Sequence, residues 1–125
     1  MYAIGVRRTL IAHHFLVGGD WGPENKPHAH TYVVEARLEG PELDHHGYLV
    51  DLVEVEAQVD ALVALFRQRV LNDLPEFRGL NPSVEHFARI VAEALTARIT
   101  PSTLSAIEVT IWEHDQAYAS YRRTL

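Results

Sequence analysis

The chain has 125 residues, of which 47% are hydrophobic and 22% charged, and its formal net charge is −6. These values predict one globular domain over residues 1–125, without a disordered tract or a membrane-spanning segment. The acidic balance and the lack of a basic cluster argue against nucleic acid as a partner. Without a secretory leader or any cysteine, we expect a cytoplasmic protein with no disulfides and no thiolate metal ligands.

The first predicted element is a strand over residues 2–15, which is rich in β-branched and aromatic side chains. Side chains alternate between the two faces of a strand. His14 therefore shares the apolar face of this strand with Leu10, and His13 points to the other face. A β-bulge would reverse this choice between the two histidines.

The second predicted strand runs from about His28 to Leu38 and begins with a His-x-His pair. His28 and His30 fall on the face that continues with apolar side chains, where an imidazole needs a hydrogen bond or a metal. With His14 they form a set of three neutral imidazoles, which is typical of a catalytic zinc site with one open position. Iron or nickel would also suit three imidazoles. For His14 the alternative is a core histidine that donates to a backbone carbonyl.

Two amphipathic helices are predicted in the middle of the chain. Asp51 is a typical helix N-cap, and apolar residues recur at helical spacing from there through about Val70. The second helix begins near Asn81 or Ser83 and ends at the Thr-Pro pair of residues 100–101. Each helix has one apolar face that can pack on a sheet.

Two further strands are predicted, from Leu104 to Glu113 and from Ala117 to Arg122. The order ββααββ predicts an α+β fold in which both helices cover one face of an antiparallel sheet. The uncovered face and the free edges of the sheet favour oligomerisation. Glu113 ends an apolar row of its strand, so its carboxylate either reaches solvent or anchors a guanidine-like heterocycle in a pocket.

The histidine pair is also compatible with a cupin. Gly22, His28, His30, Glu35 and Gly40 have the spacing of a cupin metal motif. Two helices in the middle of the chain count against this alternative, and so does Glu35, which lies on the opposite parity to the histidines.

Six segments occur in the order and spacing of the 6-pyruvoyltetrahydropterin synthase and 6-carboxytetrahydropterin synthase family, which the chain resembles over nearly its whole length. They are AHHFL (12–16), HAHTY (28–32), GYLVDL (47–52), LND (71–73), NPSVE (81–85) and IWE (111–113). The resemblance implies a tunnelling fold (T-fold), in which ββααββ subunits join their sheets into a trimeric barrel. Two trimers stack as a homohexamer, and the active sites lie at subunit interfaces.

The resemblance also implies a ligand set and a substrate. His14, His28 and His30 match the three histidines that hold Zn2+, which binds the hydroxylated side chain of a dihydropterin. Glu113 matches the glutamate that binds the amino-pyrimidine edge of the pterin ring. The expected small-molecule substrate is 7,8-dihydroneopterin triphosphate or a close relative, in a folate, biopterin or queuosine pathway.

One departure from the family pattern concerns the catalytic base. Typical members carry a cysteine four residues before the His-x-His pair, whereas this sequence has Glu24 there. A branch of the family uses glutamate at that place and is associated with cleavage of the side chain to 6-hydroxymethyl-dihydropterin. A carboxylate can abstract a hydroxyl proton, so we interpret Glu24 as the base.

A second departure removes the proton relay of the family. An Asp-His pair precedes the Leu-Asn-Asp segment in the family, but Gln68 stands at the histidine position here. His114 is the candidate replacement for the acid. His45 or His46 is the alternative, although that pair fits a solvated turn better. Because both catalytic groups differ, a catalytically altered pterin-binding or zinc-binding protein is the second hypothesis.

Overall fold

The computed structural model describes residues 1–99 and 101–125. Within them, four strands form one antiparallel sheet in the order β1-β2-β3-β4, with two helices between β2 and β3. The elements are β1 (Tyr2–His14), β2 (His28–Gly40), α1 (Leu52–Phe66), α2 (Val84–Arg98), β3 (Ala106–His114) and β4 (Ala117–Thr124). The predicted α+β class and ββααββ order are confirmed. None of the helices in the described ranges is long and apolar enough to cross a membrane.

Both helices pack on the same face of the sheet, α1 over β1 and α2 over β3 and β4. The strand residues beneath them have the predicted parity, and Tyr32 of β2 is only 1% exposed. Phe87 of α2 lies at the centre of this layer, with its ring edge against the rings of Tyr32, Phe66 and Phe77. Alternation of apolar and polar side chains along the strands therefore decides which face becomes the core.

The opposite face of the sheet carries charged side chains. Arg122 of β4 donates two hydrogen bonds to the carboxylate of Glu39, and Arg37 Nε lies 3.5 Å from the same carboxylate. Glu35 is on this face as well, 3.5 Å from Arg7. Since a cupin would need Glu35 beside the histidines, the cupin interpretation is wrong.

Helix α1 ends at Phe66, four residues before the predicted end near Val70. Gln68 adopts a left-handed backbone conformation with φ of 61°, and its N–H donates to the carbonyl of Ile11 at 2.6 Å. Val70 then forms a parallel bridge with His13. The apolar spacing continues through this segment, but hydrogen bonds to β1 draw the backbone away from the helix.

The helix N-caps are side-chain hydrogen bonds to the first turn. Asp51 accepts from the N–H of Val53 at 3.0 Å, and Ser83 accepts from the N–H of His86 at 3.1 Å. Of the two predicted start points for α2, the Ser83 position is therefore the cap. Strand β3 begins at Ala106, two residues after its predicted start.

Candidate metal centre

The end of β1 and the beginning of β2 bring three histidines together. In the antiparallel register His14 lies opposite His28, and Ala12 lies opposite His30. The pairing runs without a bulge from residue 2 to residue 14, so His14, and not His13, faces the helices. The centroids of the three rings are 4.5, 4.9 and 5.0 Å apart. The three predicted metal ligands are thus neighbours on one face.

Two of these rings are oriented by backbone carbonyls. His14 Nδ1 lies 2.9 Å from the carbonyl oxygen of Pro82, and His28 Nδ1 lies 2.7 Å from that of Lys26. A carbonyl only accepts, so Nδ1 carries the proton and Nε2 of the neutral ring has a free lone pair. His14 is therefore the carbonyl donor that the core alternative predicts, but its second nitrogen remains available.

The Nε2 atoms of all three histidines are buried and have no hydrogen-bond partner among the described residues. Buried polar atoms in native structures are almost always paired, so each such atom requires an explanation. Three lone pairs that face one another, with the other ring nitrogen held by a carbonyl in two cases, fit the donor set of a transition metal. His14, His28 and His30 are the residues that would hold it.

Burial sets the protonation of the deepest ring. His14 is 2% exposed, and desolvation lowers the pKa of its imidazole, although the hydrogen bond to Pro82 opposes this effect. Burial likewise raises the pKa of Tyr32, whose hydroxyl lies 3.4 Å from His14 Nδ1. Both groups are therefore neutral at pH 7, and the neutral form of histidine is the one that binds metals.

Glu24 extends this cluster. Its Oε2 atom lies 2.7 Å from His28 Nε2 and 3.9 Å from His30 Nε2. One potential ligand atom from each of His14, Glu24, His28 and His30 lies within 4.8 Å of the other three. The predicted base is thus in contact with the predicted metal ligands.

The backbone around Glu24 is fixed by hydrogen bonds. Glu24 lies in the 3₁₀ turn Gly22–Asn25, and its carbonyl accepts from the N–H of Leu16 at 2.9 Å. The Asn25 amide donates to the carbonyl of Leu16 at 3.0 Å and accepts from the N–H of Trp21 at 2.7 Å. Local hydrogen bonds therefore hold the Glu24 backbone near the histidines.

Glu113 approaches the cluster from β3. Its Oε1 atom lies 3.2 Å from His30 Nε2. A recess of about 190 Å³ beside the cluster is lined in part by His14, Glu24 and Glu113. A second recess of about 420 Å³ shares Glu113 and Glu85 with the first. Glu113 thus lies where a ligand in contact with the cluster would extend into the second recess.

The other predicted histidines lie elsewhere. His114 is exposed at the β3–β4 turn, where its Nδ1 accepts from the N–H of Gln116 at 3.3 Å. The rings of His45 and His46 contact each other in an exposed turn, with centroids 3.8 Å apart and planes tilted by 41°. Asp44 accepts from the N–H of His46 at 2.8 Å. Within the described ranges, none of these three rings belongs to the group of mutually close donors. The histidine pair is therefore the solvated turn that the sequence favours.

Two asparagines that position the site were not predicted. The Asn72 side chain accepts from the N–H of Phe15 at 3.0 Å and donates to its carbonyl at 2.9 Å. Asn81 Oδ1 accepts from the N–H of Val17 at 2.9 Å. These bonds hold the segment that follows His14. Both asparagines belong to segments that the family resemblance marks, but spacing alone does not identify their partners.

A comparison with protein families gives one decisive match. The model of the family described as 6-pyruvoyl tetrahydropterin synthase matches residues 3–124. The chain belongs to this family. Its members are pterin-processing lyases. Among curated proteins, none matches the chain.

Solved structures of 6-pyruvoyl tetrahydropterin synthases have the same fold. The Caenorhabditis elegans protein aligns with a TM-score of 0.83 and 24% identity, over 99% of this chain and 98% of that one. The Plasmodium falciparum protein aligns with a TM-score of 0.83 and 14% identity over the same shares. A Plasmodium vivax catalytic-residue mutant, with alanine in place of glutamate, aligns with a TM-score of 0.82 and 15% identity, over 99% of this chain and 98% of that one. The predicted T-fold is confirmed.

Proposed function

We propose that the chain is a zinc-dependent lyase or synthase that acts on 7,8-dihydroneopterin triphosphate or a close relative. The observation that carries this proposal is the convergence of three unpartnered Nε2 atoms beside a carboxylate, in a family that processes pterins. His14, His28 and His30 would hold the zinc. When bound, zinc supplies Lewis-acid polarisation of substrate oxygens.

Glu24 is proposed as the base that accepts a hydroxyl proton from the substrate side chain. Its carboxylate borders the recess next to the cluster, within reach of a ligand there. The Plasmodium vivax structures described as catalytic-residue mutants replace a glutamate, which supports a catalytic role for glutamate in this family. The proposal transfers that role to Glu24.

Glu113 is proposed to anchor the substrate ring. A carboxylate accepts two parallel N–H bonds from an amino-pyrimidine edge, which gives both orientation and binding energy. Its position between the two recesses supports this role, because the ring then occupies one recess while the side chain reaches the cluster. His114 as donor of the final proton stays a prediction.

We further propose a homotrimer or homohexamer. Among the described residues, β1 and β4 each pair with one strand of the sheet only. Residues 68–70 bond to the last residues of β1, and the rest of both outer edges is free. Free edges are normally covered, and pairing with another copy is one way to cover them. The charged outer face of the sheet would then line the interior of the barrel.

A second candidate function is cleavage of the substrate side chain to give 6-hydroxymethyl-dihydropterin. It is favoured by glutamate, in place of cysteine, four residues before the His-x-His pair. The two functions differ in the fragment that is released, so product analysis separates them. A catalytically altered pterin binder would release no fragment.

The test is incubation of zinc-loaded protein with dihydroneopterin, its monophosphate and its triphosphate. From the triphosphate ester, triphosphate released without a carbon fragment indicates a pyruvoyl synthase, and triphosphate released together with acetaldehyde indicates a carboxy synthase. Glycolaldehyde, or its phosphate ester from a phosphorylated substrate, indicates side-chain cleavage. Glu24→Gln, assayed with excess zinc, should lose turnover while it still binds the pterin. His46→Ala, in the exposed turn, should retain it. Full turnover by Glu24→Gln would show that Glu24 is not the base.

A further inference from the structure

The contact between Glu24 and His28 is close but is not a hydrogen bond. The two atoms, Oε2 and Nε2, lie 2.7 Å apart, yet Nε2 has no hydrogen-bond partner. His28 Nδ1 faces the carbonyl of Lys26 and so carries the proton of the neutral ring. Because Nε2 makes no hydrogen bond at this distance, its lone pair lies beside the carboxylate oxygen and is not aimed at it. A proton on Nε2 would not bridge the two atoms in this arrangement, whereas a metal ion bound by both would offset their repulsion.

We propose that Glu24 is a fourth protein ligand of the metal centre, which closes the coordination shell while no substrate is bound. This inference rests on the proposed function, since it assumes that His14, His28 and His30 hold the metal. A carboxylate oxygen with three imidazole nitrogens is a donor set that zinc accepts. The site is then a four-ligand centre at rest.

The number of donors that lie close to it, rather than any single distance, selects Glu24 over the other nearby carboxylate. Ligand atoms at zinc bond lengths of about 2.0–2.1 Å in a tetrahedron are about 3.3 Å apart. The distances from Glu24 Oε2 to His28 Nε2 and His30 Nε2, 2.7 and 3.9 Å, lie on either side of this value. Glu113 contacts His30 alone, at 3.2 Å, and lies outside the group of four mutually close donors.

Hydrogen bonds fix the backbone of the turn that carries Glu24. The Glu24 carbonyl accepts from the N–H of Leu16, and the Asn25 amide donates to the carbonyls of Leu16 and Gly19. Only the side chain of Glu24, and not its backbone, therefore has to be ordered when the carboxylate binds the metal. A metal-bound carboxylate is a poor proton acceptor, so Glu24 must alternate between ligand and base as substrate enters.

The experiment compares Glu24→Gln with Glu113→Gln in the full-length chain. Both variants remove one negative charge next to His30, but only the first removes the proposed ligand. Competition with a chromophoric chelator should give zinc binding weakened by about tenfold or more in Glu24→Gln and nearly unchanged in Glu113→Gln. In the cobalt-loaded proteins, azide should shift the visible spectrum of Glu24→Gln at concentrations that leave the wild type unchanged. Circular dichroism checks that both variants are folded.

Four results would overturn the inference. Equal weakening of zinc binding in Glu24→Gln and Glu113→Gln would mean that the negative charge of a nearby carboxylate, and not ligation by Glu24, supports zinc binding. An equal azide response of wild type and Glu24→Gln would mean that the fourth coordination position of the metal is already open in the wild type. Wild-type protein that binds no zinc would overturn the proposed function together with this inference. Tight zinc binding that is unaltered in Glu24→Gln would remove this inference alone.

Discussion

Replacement of Asn72 by alanine should destabilise the protein and loosen the metal centre. The Asn72 amide makes two hydrogen bonds to the backbone of Phe15, at 3.0 and 2.9 Å. Phe15 follows His14 directly, at the point where β1 ends. The side chain therefore takes the place of a neighbouring strand for one residue. Its loss frees the backbone that positions the deepest histidine.

The expected magnitude follows from these two bonds. A neutral intramolecular hydrogen bond contributes about 1 kcal/mol to stability, so two contribute about 2 kcal/mol. For a chain of this length, about 4 °C in melting temperature corresponds to 1 kcal/mol, which gives a decrease of about 8 °C. Asn72→Asp keeps the acceptor but replaces the donor by a carboxylate oxygen that repels the Phe15 carbonyl, so a decrease at least as large is expected. Zinc binding should weaken by about tenfold, as for other groups that orient metal ligands.

The measurement is thermal unfolding of the metal-free protein by circular dichroism, with urea unfolding to obtain the free energy. Metal-free protein is used because bound zinc would add its own stabilisation. If Asn72→Ala melted at the wild-type temperature, the two bonds would not support the end of β1. If it melted lower but bound zinc as tightly, the link from Asn72 to His14 would be wrong.

Three further predictions concern the core, the outer face and the metal. Phe87→Ala removes a ring that packs against three other aromatic rings. It should lower the free energy of unfolding, measured with urea, by about 3–5 kcal/mol. An unchanged free energy of unfolding would contradict this packing. The hydrogen bond from Arg122 lowers the pKa of Glu39, so this carboxylate stabilises the fold above its unfolded pKa and loses that effect as pH falls through its folded pKa. The stability difference between wild type and Glu39→Gln should therefore shrink on acidification, whereas a constant difference would refute the coupling. Zinc at a hundred times its dissociation constant should raise the free energy of unfolding by about 2.7 kcal/mol, and His30→Ala should prevent this increase.

The clustering of the three histidines was predictable because strand geometry has a short and regular period. His14 follows Leu10 and Ala12 on the buried face of β1, and an unbroken register preserves that parity to the end of the strand. The end of α1 was not predictable in the same way. Apolar residues continue at helical spacing, but the N–H of Gln68 bonds to β1, 57 positions away in the sequence. Local periodicity contains no information on such a distant partner.

The position of Glu24 was only partly predictable from the sequence. Its position four residues before His28 is visible in the sequence, and the family resemblance indicates a catalytic role, but neither gives the distance to the imidazoles. That distance depends on a turn whose shape is set by the Asn25 amide. No periodic pattern in the sequence marks an asparagine whose amide bonds to distant backbone groups. Such an asparagine cannot be told from a solvated loop asparagine by sequence alone.

Asn25, Asn72 and Asn81 therefore have a common role that only the structure reveals. Each bonds to the backbone of residues 15–21, the segment that leads from His14 toward Glu24. Backbone groups in an irregular segment need partners just as those in a strand do, and side-chain amides provide them here. The three asparagines thus restrain the segment between His14 and Glu24, the proposed base. Substitution of any one of them should therefore alter metal affinity more than substitution of an exposed loop residue such as His46.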